Sequence, residues 1–357
     1  MLALFERYPR LPDKLPHVPL GDFPTPIERL DRLGAVIRAP RLYVKRDDLS
    51  GRPYGGNKVR ALEFLLGEAQ HARAGHVFAL GFPASCQALA QAIYAPRAGL
   101  RSTAFLFPQI NSQQARQHLA LYQGLGADVR PIPALFPFLA RHFLTHGKLP
   151  LLLEASTPEG AVGYVSAGFE LKRQIDQGQL PEPDLIYLAL ATNGTLAGLQ
   201  LGLRAAGLKS RVIGVSNGGR VLGRPVATPA RLAVLARQTV TRLRAADPGF
   251  PGLVFAESDF TIRAGYECGA TTLLTPAGAE ALRQARDLAG LTLDEMFTAN
   301  AFAALLADGA AGQFQGQTVL WWNTYNSHDF SAQLAAADYR RLPRAFHRHF
   351  ETEPAAV

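Results

Sequence analysis

The sequence predicts an α/β fold, in which open, mostly parallel twisted sheets are flanked by helices. Three observations predict it. Short apolar runs alternate with helical patterns, the connections between them are short, and the alternation comes in two series. Strands that alternate with helices in this way run parallel, because each helix carries the chain back across a face of the sheet. A chain of 357 residues is long enough for two domains, each with its own core.

Taken in order, the segment up to about Pro40 is rich in proline and turn signals and is expected to wrap the surface. Leu42 to Lys45 reads as a short strand. The spacing predicts a helix over 57–73, since Leu62, Leu65, Leu66 and Ala69 fall on one face. A buried strand over 76–81 ends at a glycine turn, and a helix over 85–97 follows. Strand 101–107, helix 112–124 and strand 128–132 complete the first series. The second series opens with apolar strand 185–190, a glycine-bearing turn and a helix from Thr195. Strand 211–215, a helix over 275–289 with Pro276 in its first turn, and strand 318–322 close it. There is no internal repeat and no long low-complexity run.

A net charge of +8 raises nucleic acid as a partner. The arginines are scattered, however, and no basic run is interleaved with aromatics, which argues against it. Cys86 and Cys268 cannot make a disulfide framework, and no metal-ligand spacing is present. The first residues lack the long apolar core of a signal peptide, and no apolar run is long enough to span a bilayer. The cytoplasm is the expected location.

The chemistry centres on Lys58, which follows Gly55-Gly56-Asn57 at the start of a predicted helix. Glycines let the backbone approach a flat ring. A helix N-terminus brings unpaired N–H groups and a positive field. Both that field and desolvation lower a lysine pKa, which favours the neutral amine that forms a Schiff base with an aldehyde. A second segment, Ala191-Thr192-Asn193-Gly194-Thr195, follows an apolar strand and opens a helix. Such a turn gathers N–H donors on one point, as a phosphate requires.

Pro24-Thr25-Pro26, Lys45-Arg46-Asp47-Asp48-Leu49, Gly55-Gly56-Asn57-Lys58 and Leu62-Glu63-Phe64-Leu65-Leu66 occur in one order at tight spacing. This set resembles the pyridoxal-phosphate enzymes of the tryptophan synthase β-like superfamily, fold type II. It is most similar to the branch of D-cysteine desulfhydrase and 1-aminocyclopropane-1-carboxylate deaminase. The resemblance implies a large domain of residues 1–52 and 166–345, an inserted small domain of 53–165 and a tail of 346–357. It implies a homodimer, pyridoxal phosphate attached to Lys58, Asn57 beside it, and the phosphate at Ala191, Thr192, Asn193, Gly194 and Thr195. Asn193 departs from the family's usual glycine. Arg60 keeps a cation of the family pattern, whereas Ala61 stands where many members carry a phosphate-contacting lysine.

Other positions are carried over one by one. Ser85, 27 residues after Lys58, matches the branch serine that handles the substrate carboxylate or α-proton. Cys86 stands where an asparagine usually bonds the pyridoxal ring oxygen, and Gln87 where a histidine stands. Three readings of Cys86 stay open: a weak donor to the ring, a thiol acidified by the helix N-terminus, and a small packing side chain. Thr298 matches the residue that faces the pyridine nitrogen. Phe297 and Thr271 take the places of two active-site tyrosines, for which Tyr266 and Tyr325 are the substitutes on offer. Thr324 matches within a segment that otherwise differs. The implied activity is a lyase or deaminase that eliminates a β-substituent from a small amino acid, giving a 2-oxo acid and ammonia. β-Replacement, cyclopropane ring opening and non-catalytic cofactor binding are the alternatives.

Overall fold

The computed structural model describes residues 1–221, 223–267 and 274–354. Two sheets organise them. The larger has six strands in the order Ile27–Arg29, Leu42–Lys45, Val319–Trp322, Leu185–Leu190, Arg211–Ser216 and Thr261–Arg263. Only the first strand runs antiparallel to its neighbour. The smaller sheet is parallel throughout, in the order Asp128–Pro131, Arg101–Leu106, His76–Gly81 and Leu151–Leu152.

The strands at the middle of the large sheet are apolar on both faces. Residues Val319 to Trp322 are all buried, and so are Leu42 to Lys45. This is the composition of a parallel sheet covered on both sides. Helices Lys58–His71, Pro158–Asp176 and Asn193–Ala205 pack together on one side. The first of these begins at the predicted reactive lysine.

Below that helix lies a buried ion cluster. Lys45, Asp47, Arg60 and Glu170 are each no more than 3% exposed, so two cations and two anions share one water-excluded site. The Arg60 guanidinium donates to Asp47 at 2.7 and 2.8 Å and to Glu170 at 3.0 Å. Lys45 Nζ donates to Glu170 at 2.6 Å, to Gln174 at 2.5 Å and to the Thr25 carbonyl at 2.7 Å. The cluster thereby ties the helix of Lys58 to a strand of the large sheet and to helix Pro158–Asp176. Arg60 is fully committed here and has no reach to spare for a phosphate.

Burial alone would raise the Glu170 carboxyl, but the Arg60 and Lys45 cations overcome it and hold the group at about 2. A depressed carboxylate stabilises the fold above its unfolded pKa of about 4.3, and that stability drains away as the pH falls toward the folded value. Acid unfolding followed by circular dichroism is therefore expected to steepen below about pH 4. Glu170→Gln is expected to flatten that limb while lowering stability at neutral pH. An unchanged acid limb in the variant would mean that this carboxylate does not govern it.

The N-terminal segment corrects a sequence expectation. Leu4, Leu11, Leu15 and Thr25 are buried, with three of the four showing no exposure at all. Isolated leucines set among prolines carry no periodicity, yet each fills a gap between helices. The segment is tied down further by Glu63, whose carboxylate accepts the N–H groups of Leu20 and Gly21 at 2.9 and 3.0 Å. The helix predicted from Thr195 begins two residues earlier, at Asn193, because its first N–H groups are satisfied from elsewhere in the chain.

Candidate functional site

Lys58 is the first residue of helix Lys58–His71, and the turn before it is shaped by the end of strand Val319–Trp322. The Asn57 N–H donates to the Thr324 carbonyl at 3.1 Å, and Gly55 N–H to Asn326 Oδ1 at 2.7 Å. Gly56 has φ +95, and a Cβ there would lie 2.9 Å from the Thr324 oxygen, so the turn requires glycine on both counts. The Lys58 side chain is half-buried, and its amine has no hydrogen-bond partner among the described residues. Desolvation lowers its pKa. That enlarges the neutral, nucleophilic fraction at neutral pH.

The same turn reaches the second predicted segment. Asn57 Nδ2 donates to Thr195 Oγ1 at 2.9 Å. Thr195 lies in the first turn of helix Asn193–Ala205, whose N-cap residue Thr192 makes no side-chain cap bond. The hydroxyl of Ser156 takes that place, accepting N–H groups from Asn193 at 3.1 Å and Gly194 at 3.3 Å. A Cβ at Gly194 would lie 2.4 Å from the Ala155 oxygen, so glycine is what lets the 155–156 backbone press against the helix end. Asn193 donates its Nδ2 to the Val226 carbonyl at 3.1 Å. Ala191 and Thr192 are half-buried on the approach to this cup.

The N-terminus of a third helix, Cys86–Arg97, completes the site. Ser85 is its N-cap and accepts the Ala88 N–H at 3.3 Å. Cys86 lies close enough to Lys58 for the two groups to influence each other's charge, and within hydrogen-bonding reach of the Tyr54 hydroxyl. Burial pushes the Cys86 thiol up to about 12, the Asp294 carboxylate adds to this, and Lys58 opposes it. This burial opposes the reading of a thiol acidified by the helix N-terminus. Gln87 points neither end of its amide at a partner among the described residues, although both atoms are buried.

Thr298 opens helix Thr298–Ala310 and pairs with Asp294. Its hydroxyl donates to Asp294 Oδ1 at 2.5 Å and accepts the Asp294 N–H at 2.7 Å. The donor is thus spent inside the protein, and only acceptor capacity is left toward a ring nitrogen. Asp294 also accepts the N–H groups of Met296 and Phe297. Phe297 packs on Ala84, Ala115 and Met296, which places its ring near the Ser85 turn.

Of the two substitute tyrosines, the structure brings in one. Tyr325 follows Thr324 at the Lys58 turn, and burial, Cys86, Asp294 and Glu295 all raise its phenol. Tyr266 lies against the large-sheet core with the Arg263 guanidinium 5.3 Å from its ring centroid. Thr271 and Cys268 lie outside the described residues. Sequence reasoning missed Tyr54, Ser156, Asp294 and the fully buried Tyr122, whose hydroxyl has no hydrogen-bond partner among the described residues. Tyr54 had a signal, since it precedes Lys58 by one short turn. Ser156 and Tyr122 had none, because each arrives through the fold.

Lys58, Asn57 and the cup at Asn193–Thr195 form a continuous line, with a free amine at one end and convergent N–H and hydroxyl groups at the other. That suits a small aldehyde carrying a phosphate, which is what pyridoxal phosphate is. The comparisons agree. The profile of the family described as "Pyridoxal-phosphate dependent enzyme" matches residues 18–324. The chain is 32% identical over 327 residues to nocardicin C-9' epimerase of Nocardia uniformis subsp. tsuyamanensis, covering 88% of this chain and 94% of that protein. It is 28% identical over 328 residues to 1-aminocyclopropane-1-carboxylate deaminase of Burkholderia multivorans, covering 86% and 93%. The crystal structure of an ACC deaminase homologue superposes with a TM-score of 0.74 at 26% identity, covering 94% of this chain and 99% of that one. No helix among the described residues is long and apolar enough to cross a membrane. The chain belongs to the pyridoxal-phosphate-dependent enzyme family of fold type II and is similar to the 1-aminocyclopropane-1-carboxylate deaminases within it.

Proposed function

We propose that the protein eliminates a β-substituent from a small amino acid, releasing a 2-oxo acid and ammonia. The observation that carries this reading is the Lys58 amine: half-buried, unpaired, lowered in pKa and joined through Asn57 to the cup at Thr195. Lys58 would hold the cofactor aldehyde, and Asn193, Gly194 and Thr195 its phosphate. When bound, pyridoxal phosphate supplies an electron sink for negative charge at the substrate α-carbon.

The chain's own groups do the rest. Lys58 Nζ, when its amine is free, would take the substrate α-proton as general base. Ser85 and the N–H groups at the start of helix Cys86–Arg97 orient the substrate carboxylate. Tyr54, Cys86 and Tyr325 are all held protonated at neutral pH, so each has a proton or a hydrogen bond to donate. Gln87 and Phe297 border the substrate side. The division at residues 52/53 and 165/166 and the homodimer belong to this proposal; the strand membership of the two sheets supports the division, and light scattering measures the dimer.

A second reading is exchange at the α-carbon alone. The epimerase relative favours it, as does the presence of protonated phenols around the site without the residues at 271 and 297 being tyrosine. Cyclopropane ring opening stands beside it, favoured by the name of the Burkholderia relative. One experiment separates them. D- and L-amino acids and 1-aminocyclopropane-1-carboxylate are incubated with the holoenzyme in D2O. Release of 2-oxo acid from a substrate with a β leaving group is the expected result. Deuterium at Cα without 2-oxo acid establishes the exchange reading, release only from the cyclopropane establishes ring opening, and a spectrum that no amino acid perturbs makes the protein a carrier.

A further inference from the structure

We propose that Ser156 is a ligand of the cofactor phosphate, brought to the cup from outside the 191–195 segment. The proposal rests on the reading that the phosphate lies at Asn193–Thr195. Ser156 stands between the small sheet's edge strand Leu151–Leu152 and helix Pro158–Asp176. It is not needed to cap that helix, because Thr157 does so by accepting the Gly160 N–H. Its hydroxyl turns instead to another helix and accepts the N–H groups of Asn193 and Gly194.

A serine hydroxyl has two acceptor sites and one proton to give. Here both acceptor sites are used, and the proton goes to no described residue. The group holds the position an anion's oxygen would take at a helix N-terminus. Asn193, 8% exposed, has no partner for its Oδ1 among the described residues. It lines, with Ser156, a recess of about 300 Å³ whose outer wall carries Arg231 and Gln238. Arg231 brings one cation to this recess, whose lining is otherwise largely apolar, from Ala230, Val234 and Leu235. When a phosphate oxygen enters, the two N–H groups pass to it, and Ser156 rotates from accepting to donating. The close approach allowed by Gly194 keeps the hydroxyl within range in both states.

The alternative is that Ser156 is a stopper that caps the empty helix and is pushed aside. The two roles predict opposite signs. Cofactor-free protein is titrated with pyridoxal phosphate and, separately, with pyridoxal, and the visible absorbance is followed. Ser156→Ala is expected to weaken pyridoxal phosphate about tenfold, the scale of one hydrogen bond to a charged group. Binding of pyridoxal should not change, and Ser156→Thr, which keeps the hydroxyl, should retain most of the affinity. Unchanged or tighter binding of pyridoxal phosphate by Ser156→Ala overturns the proposal. The urea midpoint of each cofactor-free variant shows whether the fold is intact; if Ser156→Ala does not fold, inorganic phosphate competition in Ser156→Thr decides, and loss of that competition overturns the proposal while its retention supports it. A wild-type protein that does not prefer pyridoxal phosphate over pyridoxal would instead sink the phosphate assignment itself.

Discussion

Lys58→Ala is expected to abolish the visible, borohydride-sensitive absorbance band of the holoenzyme and to remove all measurable turnover. No other described lysine combines a helix N-terminus, a half-buried amine and the absence of any protein partner. Lys45 is more deeply buried but is spent on Glu170, Gln174 and Thr25. Loss of the general base and of covalent attachment should together cost at least the 10²–10⁴-fold that acid–base catalysis alone contributes. The fold should survive, because the Lys58 amine makes no hydrogen bond or ion pair among the described residues. A variant that still shows a band bleached by borohydride would place the attachment on another residue.

Arg60→Met is expected to be the most destabilising single change. It strips the guanidinium from between Asp47 and Glu170 and leaves two buried carboxylates facing one Lys45 cation. Breaking a buried ion pair from one side costs about 3–5 kcal/mol, because the orphaned charge cannot be rehydrated. Methionine keeps an unbranched apolar side chain of similar length but loses the guanidinium that lies over the Phe23 and Trp322 rings. Adding Asp47→Asn should recover part of the loss by removing the unpaired charge. The readout is the urea midpoint of the cofactor-free protein. A loss under about 1 kcal/mol, the range of exposed pairs, would mean that the cluster is hydrated in solution.

Much of the architecture was legible from local pattern. Strands such as Leu185–Leu190 announce themselves as apolar runs bounded by turn residues, and helix Cys86–Arg97 by its serine cap. Helix Pro158–Asp176 did not, although Thr157 and Pro158 mark its start. It is buried on nearly every face, so no apolar stripe stands out against a polar one. The site divides in the same way. Lys58, Ser85 and the 191–195 turn carry their chemistry within a few consecutive residues. Ser156, Asp294, Tyr54 and Tyr122 matter only through what the fold sets beside them. The open readings of Cys86 divide in the same way: the helix field is local and visible in sequence, whereas the burial that raises its thiol is not.

The order of strands in the large sheet has a consequence for biosynthesis. Strand Val319–Trp322 sits between Leu42–Lys45 and Leu185–Leu190, so the last strand to be made is the one that joins the two halves. The loop after it supplies Thr324 and Asn326, which shape the turn of Lys58 across 271 positions of sequence from Gly55. A ribosome-bound chain that has emerged only through residue 318 holds two half-sheets and an unformed lysine turn. Contacts of such long separation form late and slowly. Cofactor capture is thereby expected to report on the central sheet: a product ending at residue 318 is expected to stay colourless, because the strand and loop that shape the Lys58 turn are missing.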